Sequence, residues 1–480
     1  MKRLYLLSAV AVLSASCADT VSEPTLMKRQ LSQIETPTRY IVEFTGTNAP
    51  KGFAEKVAAL GGAIESSHPV GLGVISGVSA DAAAELKTFQ GVKTVVSDLE
   101  VMVAPVATAS DELEVDLLAA TDAVPNSQAN PTTAVRYTFQ WNMKQIGADK
   151  AWAAGKLGSS SISVAILDTG LDYGNRDLMT LVDLTRSKSY VQMDTDTLVR
   201  YFGPSWHPVT DLQGHGTNVA AQVSSIAFAT AGITSKTTLI GVKVLNQNGS
   251  GNLSNIINGL LYAADVDADV INMSLGVRGG VSKIANGDYV SIVNKAFNYA
   301  HRKGSLVVVA AGNDAIDLDH NGNLFAAYCN APNVICVAAT GPTGYTGNAQ
   351  TGPRTEPDAP AVFTNFGRSA IDLAAPGGNT GGFVWSFCAR HAIYPFYQNA
   401  ENKGPRFPCT GGGSLIGMAG TSQAAPHVAG LAALLMADMG RNIPSTIKDA
   451  LLNSADDLGA EGTDPFYGKG RINVARALGL

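Results

Sequence analysis

The stretch GTSQAAPHVAG, residues 420–430, and the apolar run LAALLM that follows it at 431–436 decide how this chain is interpreted. The apolar run predicts a helix, and Ser422 stands at its start, where backbone N–H groups lack partners within the helix. Those groups and the helix dipole favour negative charge beside the Ser422 hydroxyl, and Gly420 allows a substrate to approach closely. This setting suits a nucleophilic serine next to a developing oxyanion. A turn of small residues before a buried helix would give the same pattern.

An acid and a histidine stand in similar glycine-rich settings earlier in the chain. The segment VAILDTG, residues 164–170, predicts a buried parallel strand that ends at Asp168, and ligands bind at the carboxyl ends of such strands. The segment GHGTNVA, residues 214–220, places His215 between two glycines at a predicted helix start. Acid, histidine and serine in this order favour nucleophilic catalysis by Ser422.

Two further motifs, VINMSLG at 270–276 and VVVAAGN at 307–313, complete a set of five. With them the sequence resembles the subtilases, the family of subtilisin-like serine endopeptidases, and the order Asp, His, Ser is that of subtilisin. The resemblance covers most of the chain after residue 140. It implies an α/β fold with a doubly wound, mostly parallel sheet. It also implies a secreted endopeptidase that hydrolyses peptide bonds through an acyl-enzyme intermediate.

The resemblance assigns a role to each of the three reactive residues. Ser422 is the expected nucleophile, and His215 is the base that takes its proton and later returns it to the leaving amine. Asp168 is the acid that orients the imidazole and stabilises its charged form. Asp172 and Asp211 are rival acids, but Asp168 ends the strand directly and matches the motif.

The resemblance also predicts where a polypeptide substrate binds. The Asn313 side chain and the Ser422 backbone N–H form the expected oxyanion hole. An extended peptide would add as a strand to exposed backbone edges. No acid stands in the expected first pocket, so we expect a preference for apolar side chains over Lys or Arg. The predicted edge residues are Gly249, Ser250, Gly251, Ser274, Leu275 and Gly276, and the predicted pocket residues are Ala310, Ala311 and Gly312.

Two other functions compete with an endopeptidase. A catalytically silent binding protein could use the same fold, but all four expected catalytic residues are present. A serine esterase of the α/β-hydrolase class would place its serine in Gly-x-Ser-x-Gly, whereas Gln423 and Ala424 follow Ser422 here. The endopeptidase is therefore favoured, and the silent binding protein is the alternative.

The N-terminus predicts export. A positive start, MKR, precedes the short apolar stretch 4–15, which is typical of a secretory signal at residues 1–16 and too short to span a membrane. Cys17 follows a segment that resembles the bacterial lipoprotein cleavage site, although Ser14 stands where leucine is usual. Lipid attachment at Cys17 and simple secretion both stay open, and a lipid anchor would be the only membrane contact.

A propeptide is expected between the signal and the catalytic domain. Residues 17–35 predict a polar tether, and residues 36–104 a small α/β sandwich with the order strand, helix, strand, helix, strand. Its position resembles that of the family's propeptide and implies a zymogen inhibited by its own propeptide. Residues 105–139 predict an exposed linker, where self-cleavage is expected. The catalytic domain is predicted over 140–480.

Composition and charge limit the remaining possibilities. The chain has 480 residues, 45% hydrophobic and 15% charged, with a net charge of −6. This size gives ample core for two or three domains. The weak acidity and the lack of a long basic run argue against nucleic-acid binding. No segment after the signal is long and apolar enough to predict a membrane span, and a monomer is expected.

The cysteines agree with export. Four of them besides Cys17 allow three disulfide pairings. Proximity in sequence favours Cys329 with Cys336 and Cys388 with Cys409. No cysteine spacing resembles a zinc site.

No cofactor is expected to be required for catalysis, but one turn could bind structural calcium. Asp317, Asp319 and Asn321 alternate before a glycine, like the start of an EF-hand loop, although Tyr328 stands where the final glutamate of that loop would be. A solvated turn is the alternative. The compact segment 227–234 lacks the Asn-rich calcium loop of many subtilisins, so that calcium site is expected to be absent.

Two departures from the family pattern concern the surroundings of the site. Asn218 replaces the second histidine of His-Gly-Thr-His, a position that generally supports the active site. An insert between Gly377 and Gly420 contains several aromatic residues and two cysteines. A stapled surface loop is expected there, and a rim that narrows the cleft is the alternative hypothesis.

Overall fold

The computed structural model describes residues 39–102, 115–117, 128–276, 281–282, 287–325, 328–393, 414–441 and 443–480. A four-stranded antiparallel sheet near the N-terminus precedes a seven-stranded parallel sheet. The predicted α/β architecture, a small α/β sandwich followed by a doubly wound sheet, is therefore confirmed.

The N-terminal unit is the small sheet with two helices packed against it. Its elements are β1 (Arg39–Phe44), α1 (Phe53–Ala59), β2 (Ala63–His68), β3 (Leu72–Ser76), α2 (Ala80–Lys87) and β4 (Val92–Ser97). The strand order is β2-β3-β1-β4, and Phe44, Phe53 and Leu86 are buried in the core between sheet and helices. The sequence predicts every element except β2, which we missed because its polar side chains alternate only between exposed and half-buried positions.

The remaining strands belong mostly to the larger unit. They are β5 (Glu100–Met102), β6 (Val115–Leu117), β7 (Ser163–Asp168), β8 (Lys188–Ser189), β9 (Thr238–Lys243), β10 (Ser250–Asn252), β11 (Val270–Met273), β12 (Val281–Ser282), β13 (Leu306–Ala310), β14 (Leu324–Phe325), β15 (Val334–Thr340), β16 (Gly344–Tyr345), β17 (Arg354–Thr355), β18 (Leu373–Pro376), β19 (Val384–Phe387) and β20 (Ser414–Met418).

The helices of the larger unit flank its sheet or cap its ends. They are α3 (Trp141–Gln145), α4 (Ala148–Ala153), α5 (Gln192–Phe202), α6 (His215–Val223), α7 (Leu253–Asp265), α8 (Gly287–Arg302), α9 (Thr421–Met439), α10 (Pro444–Asn453) and α11 (Val474–Ala477), with 3₁₀ turns at Pro131–Thr133, Tyr137–Phe139 and Tyr328–Asn330.

The parallel sheet has the strand order β18-β15-β13-β11-β7-β9-β8. The chain enters at β7, passes to the edge strand β8, and returns to β9, which lies between β8 and β7. It then crosses to β11 on the other side of β7 and continues outward through β13, β15 and β18. Open α/β sheets bind ligands where the strand order reverses, at the carboxyl ends of the strands. The order therefore places the functional edge where β7 ends, which is at Asp168.

Helix α9 lies at the centre of the larger unit. Its residues 421–436 are all buried, and it packs against β11, β13 and β15. A helix that is apolar all round belongs in a core, as the run 431–436 predicts. Pro426 lies inside this helix and has no N–H, so the carbonyl of Ser422 lacks its usual helical donor.

Residues 128–139 depart from the linker prediction. The 3₁₀ residues Pro131 and Tyr137 are buried, and Tyr137 is part of the main core. The N–H groups of Val135 and Arg136 donate to the carbonyls of Phe228 and Ala229. Burial and backbone bonding therefore join this stretch to the larger unit, so folded structure begins earlier than the predicted boundary at residue 140.

The insert after Gly377 is in part a core element. Its strand β19 pairs with β20, and Trp385 and Phe387 on β19 are 2% and 1% exposed. The expectation of a surface loop is wrong for this part, because these aromatic side chains fill the core. Residues 394–413 lie outside the described residues. They include Cys409, the predicted disulfide partner of Cys388.

One predicted disulfide is confirmed. Cys329 and Cys336 are bonded, with their Cα atoms 5.0 Å apart, and Cys336 lies in β15. Cys388 is disulfide-bonded as well. Within the described ranges, no helix has the length and apolar character that crossing a membrane requires.

A buried ion pair attaches α5 to the sheet. Lys243, at the end of β9, and Asp194 on α5 are 0% and 1% exposed, and Lys243 Nζ lies 2.7 Å from Asp194 Oδ2. Lys243 also donates to the carbonyl of Thr169, just after β7. Asp194 accepts from the backbone N–H of Gln247 at 3.1 Å. The pair therefore ties α5 both to the loop after β7 and to the turn before β10.

Removing one partner of this ion pair should destabilise the fold. Lys243→Met leaves the Asp194 carboxylate buried without a counter-charge, so we expect the free energy of unfolding to fall by about 3–5 kcal/mol. Urea unfolding of the single variants Lys243→Met and Asp194→Leu and of the double variant measures this. The double variant should lose less than the sum of the singles, and strictly additive losses would contradict a paired interaction.

Candidate active site

Asp168 and His215 meet at the carboxyl end of β7. Asp168 is the last residue of β7, and His215 is the first residue of α6. The two elements can approach because position 216 is glycine, since a Cβ there would lie 2.3 Å from the carbonyl oxygen of Gly170. The structure therefore brings the predicted acid and the predicted histidine together.

The Asp168–His215 pair is buried and hydrogen-bonded. Nδ1 of His215 lies 2.8 Å and 3.0 Å from the two carboxylate oxygens of Asp168, and both side chains are almost completely buried. Burial opposes a charged imidazole, but the charge and hydrogen bond of Asp168, together with the charge of Asp211, outweigh it and raise the pKa of His215. None of the described residues forms a hydrogen bond with Nε2 of His215.

Ser422 stands in the first turn of α9 and is bonded to Ser274. The Ser422 hydroxyl donates to the Ser274 carbonyl at 3.1 Å, and the Ser274 hydroxyl donates to the Ser422 carbonyl at 2.8 Å. The second bond is possible because Pro426 leaves that carbonyl without a helical donor. In this structure, therefore, the Ser422 hydroxyl is bonded to Ser274 and not to His215. Catalytic hydrogen bonds commonly form only once substrate is bound.

Asn313 has its amide group fixed beside the start of α9. Its Oδ1 accepts from the backbone N–H and the hydroxyl of Thr421, both at 2.8 Å. These two donors define which side-chain atom is the oxygen and leave Nδ2 as the free donor. Nδ2 is buried and has no hydrogen-bond partner in the part of the chain that the structure describes. It is therefore available to donate to a ligand oxygen.

Asp211 and Asp172, the rival acids, are engaged elsewhere. The buried Asp211 carboxylate accepts from the hydroxyls of Thr169 and Thr217 at 3.0 Å and 2.7 Å, and from backbone N–H groups at the start of α6. Asp172 is paired with Arg390 at 2.8 Å. Asp211 therefore braces the loop after β7 against the helix that carries His215.

The structure shows the positions of the three predicted substrate segments. Ser250 and Gly251 belong to β10, which pairs antiparallel with β5. The Ser274 edge is joined to Ser422 by the bonds described above. The pocket segment is joined to α9, because the N–H of Gly312 donates to the Thr421 hydroxyl at 3.0 Å. The structure therefore gathers two of the three predicted substrate segments directly around Ser422.

One supporting residue was missed by sequence reasoning. The Asn365 side chain accepts from the N–H groups of Asp314 and Ile316 at 3.0 Å each and donates to the Ala311 carbonyl at 2.9 Å. It thereby fixes the loop that carries Asn313. Asn365 stands in the segment FTNFG without a recognisable motif, so nothing local in the sequence indicates this role.

Two other polar residues near the site have supporting contacts. The buried His427 side chain bonds to Asn142 at 2.8 Å and to the Gln423 carbonyl at 2.7 Å, and burial lowers its pKa to about 4. His427 is therefore a neutral packing residue. The Asn218 amide reaches the carbonyl of Ile416 at 3.4 Å, which is a supporting contact.

The candidate calcium turn is closed by its own hydrogen bonds. The Asp317 carboxylate pairs with His320 at 2.8 Å, and that hydrogen bond lowers the pKa of Asp317. The Asp319 carboxylate accepts from the hydroxyl and N–H of Ser369. No three His, Cys, Asp or Glu side chains in the described ranges are grouped to hold a metal ion. Calcium binding at Asp317, Asp319 and Asn321 stays a prediction.

Comparison with known proteins places the chain in one family. Residues 159–470 match the subtilase family. The chain is 33% identical over 356 residues to the thermophilic serine proteinase of Bacillus sp. strain AK1, covering 74% of this chain and 70% of that protein. It is 32% identical over 342 residues to thermitase of Thermoactinomyces vulgaris, covering 71% and 95%.

Solved structures agree in fold. The epidermin leader peptide processing serine protease of Staphylococcus aureus has a TM-score of 0.67 at 21% identity, covering 92% of this chain and 98% of that one. Fervidolysin of Fervidobacterium pennivorans has a TM-score of 0.65 at 22% identity, covering 92% and 61%. The site and fold are those of a serine-type endopeptidase. The chain belongs to the subtilase family.

Replacing Asp211 should shift the pH dependence of activity. Its negative charge raises the pKa of His215, and the reaction needs neutral His215, so activity falls as the pH drops through that pKa. We expect Asp211→Asn to move the acid limb of kcat/KM to lower pH, measured with a peptide substrate. As a control, Glu461→Gln at an exposed position should not shift the acid limb of kcat/KM. If Asp211→Asn lowers kcat without shifting the acid limb, the role of Asp211 is purely structural.

Proposed function

We propose that this protein hydrolyses peptide bonds through Asp168, His215 and Ser422, that it is exported, and that it is made as a zymogen which processes itself. One observation carries the catalytic part of the proposal. Nε2 of His215 and Nδ2 of Asn313 are buried and have no hydrogen-bond partner among the described residues. His215 lies on α6, which packs against the helix α9 that carries Ser422, and Asn313 is bonded to Thr421 beside Ser422. These two atoms are an acceptor for a proton and a donor for an oxyanion, which acyl transfer requires together.

In the first step of this mechanism, the Ser422 hydroxyl leaves the Ser274 carbonyl and turns to His215. Nε2 takes the hydroxyl proton as the oxygen attacks the substrate carbonyl. Asp168 holds Nδ1–H, so that Nε2 is the free, basic nitrogen, and stabilises the imidazolium that forms. His215 then protonates the leaving amine, which departs and leaves an ester on Ser422.

The negative oxygen that forms is stabilised by Asn313. Its Nδ2 and the backbone N–H of Ser422, at the positive end of α9, are the two donors. Water then attacks the ester, His215 accepts its proton, and Ser422 regains its hydroxyl. In this mechanism His215 transfers the protons, and Asn313 and the Ser422 N–H stabilise the negative charge. The proposal therefore assigns no cofactor to the reaction.

Polypeptides are the proposed substrates. An extended chain can add as a strand to β10, and β5 of the same chain occupies this edge in the structure. The segment at Ala310, Ala311 and Gly312 offers a small, uncharged first pocket. We therefore assign a preference for apolar side chains before the cleaved bond.

Contacts between the N-terminal unit and the larger unit support the propeptide role. Asp98, after β4, accepts from the N–H of Ser254 at 2.9 Å and from its hydroxyl, at the start of α7. The carbonyl of Leu99 accepts from the N–H of Leu253 at 2.8 Å. A carboxylate at a helix N-terminus is favourable. These bonds lie next to β5 and hold it against β10, at the edge where a substrate would bind. In this position β5 would exclude the substrate until the chain is cut.

Export and maturation rest on the sequence. The signal at 1–16, the tether at 17–35 and Cys17 lie outside the described residues, as does much of the stretch 105–139 where cleavage is proposed. A secretory signal and the disulfide between Cys329 and Cys336 both fit an oxidising compartment outside the cytosol. Lipid attachment at Cys17 would hold the enzyme at the cell envelope.

Replacing Ser422 should block maturation. We expect the wild-type chain without its signal to lose an N-terminal fragment, whereas Ser422→Ala stays intact because it lacks the nucleophile. Intact mass measured side by side shows this and locates the cut bond. If both masses stay intact and an unfolded protein is not hydrolysed, the catalytically silent binding protein becomes the better description. Equal cutting of both chains would mean that another protease matures this one.

Replacing Asn313 should lower turnover rather than binding. Asn313→Ala removes one donor from the oxyanion, so we expect kcat to fall on the order of 10²–10³-fold, the size known for the equivalent donor of subtilisin, with little change in KM. Steady-state kinetics on the mature enzyme test this. An unchanged kcat would mean that Nδ2 does not face the reacting oxygen.

A further inference from the structure

Helix α5 carries exposed apolar side chains that do not pack in the core. Met193 and Tyr201 are 47% and 65% exposed, although α5 has only 11 residues, and both line the same cavity. The buried residues of this helix are Asp194 and Leu198. Two exposed apolar side chains beside one cavity mark a candidate interaction surface.

This surface forms one wall of a groove. A cavity of about 590 Å³ lies along α5, and we call it the α5 groove. The groove is lined by residues of α5, of the turn before β10, and of the first part of the insert. The apolar lining residues are Met193, Tyr201, Phe202 and Ile393, and the polar ones are Asp196, Thr197, Arg200 and Gln247.

The walls of the α5 groove are fixed to the active site. The buried Asp194 attaches α5 to Gln247 and to Lys243, as described above. On the other side, the N–H of Ile393 donates to the carbonyl of Leu212 at 3.0 Å, three residues before His215. The groove therefore lies between the loop that leads to His215 and the turn that leads to the β10 edge.

The insert is anchored at the same place. Arg390 binds Asp172 through two of its nitrogens, at 3.0 Å and 2.8 Å. The His391 ring packs against Phe202 at 4.8 Å and Trp206 at 4.3 Å between ring centroids. These contacts hold Ile393 against α5, so the groove has defined rather than mobile walls.

The groove continues into the edge where an extended chain binds. Met193 and the β10 residues Ser250 and Gly251 line a neighbouring cavity of about 510 Å³. A chain that pairs with β10 as β5 does runs from Asn252 toward Ser250, and thus toward the turn that contains Gln247. A bound peptide therefore passes the groove on its way to Ser422.

We propose that the α5 groove binds a large apolar side chain of the substrate at P2, the second residue before the scissile bond. This inference rests on the proposed function. Side chains of an extended peptide alternate in direction. Because the first pocket at Ala310–Gly312 takes the P1 side chain, the P2 side chain points the opposite way, toward the His215 loop and the groove. The apolar lining selects Phe or Leu over Gly or Ser.

The test is a series of fluorogenic peptides that differ only at P2, cleaved by the mature enzyme. We expect kcat/KM for Phe at P2 to exceed that for Gly by about tenfold or more. The double variant Met193→Ser/Tyr201→Ser should reduce this ratio to near one, chiefly by lowering kcat/KM for the Phe peptide. The matched control Met439→Ser/Tyr345→Ser, at residues 48% and 47% exposed on α9 and β16, should keep the full ratio.

Three results would overturn the inference while the proposed function stands. These are cleavage without any P2 preference, a preference at P3 or P4 instead, or a P2 preference that survives in the Met193→Ser/Tyr201→Ser variant. The first is also the result expected if the chain's own residues after Ile393 fill the groove. Failure to cleave any peptide or unfolded protein would remove the proposed function and this inference together.

Discussion

The burial of two carboxylates beside one imidazole is the constraint on which the rest of the site depends. Asp168 and Asp211 are both 0% exposed, and a buried charge is tolerated only when it is paired and hydrogen-bonded. Asp168 therefore needs His215, and Asp211 needs the threonines and the backbone N–H groups at the start of α6. Satisfying both carboxylates forces β7, its following loop and α6 into close contact, which requires glycine at position 216.

The same hydrogen bonds that hold each catalytic group leave its reactive atom free. His215 is held by Nδ1 and presents Nε2, and Asn313 is held by Oδ1 and presents Nδ2. Ser422 is held through its carbonyl by the Ser274 hydroxyl. In the proposed reaction, the serine hydroxyl is the donor to Nε2 and the oxygen of the substrate carbonyl is the acceptor from Nδ2. Interactions that become stronger in the transition state than in the bound substrate accelerate the reaction.

Much of the fold could be predicted from the sequence, and so could the approach of Asp168 and His215, because both leave local signals. Strands such as β13 are short apolar runs, and Asp168, His215 and Ser422 stand in motifs of contiguous residues. Contacts between residues outside these motifs could not be predicted. Lys243 pairs with Asp194 and Asn365 braces the loop of Asn313 only in three dimensions. Strand β2 was missed because an edge strand needs no apolar pattern.

Chemistry and selectivity are therefore encoded differently in this chain. The motifs fix where bonds are broken, and they tolerate little change because each glycine or polar group satisfies a close contact. The segment between Asp168 and His215 contains α5, and the insert after Gly377 contains Ile393. These segments share no motif, yet the buried Asp194–Lys243 pair anchors α5 to β9, and the Asp172–Arg390 pair anchors the insert to the loop after β7. Because such segments lie outside the motifs, they can vary in shape without disturbing catalysis, and selection among substrates can be set there.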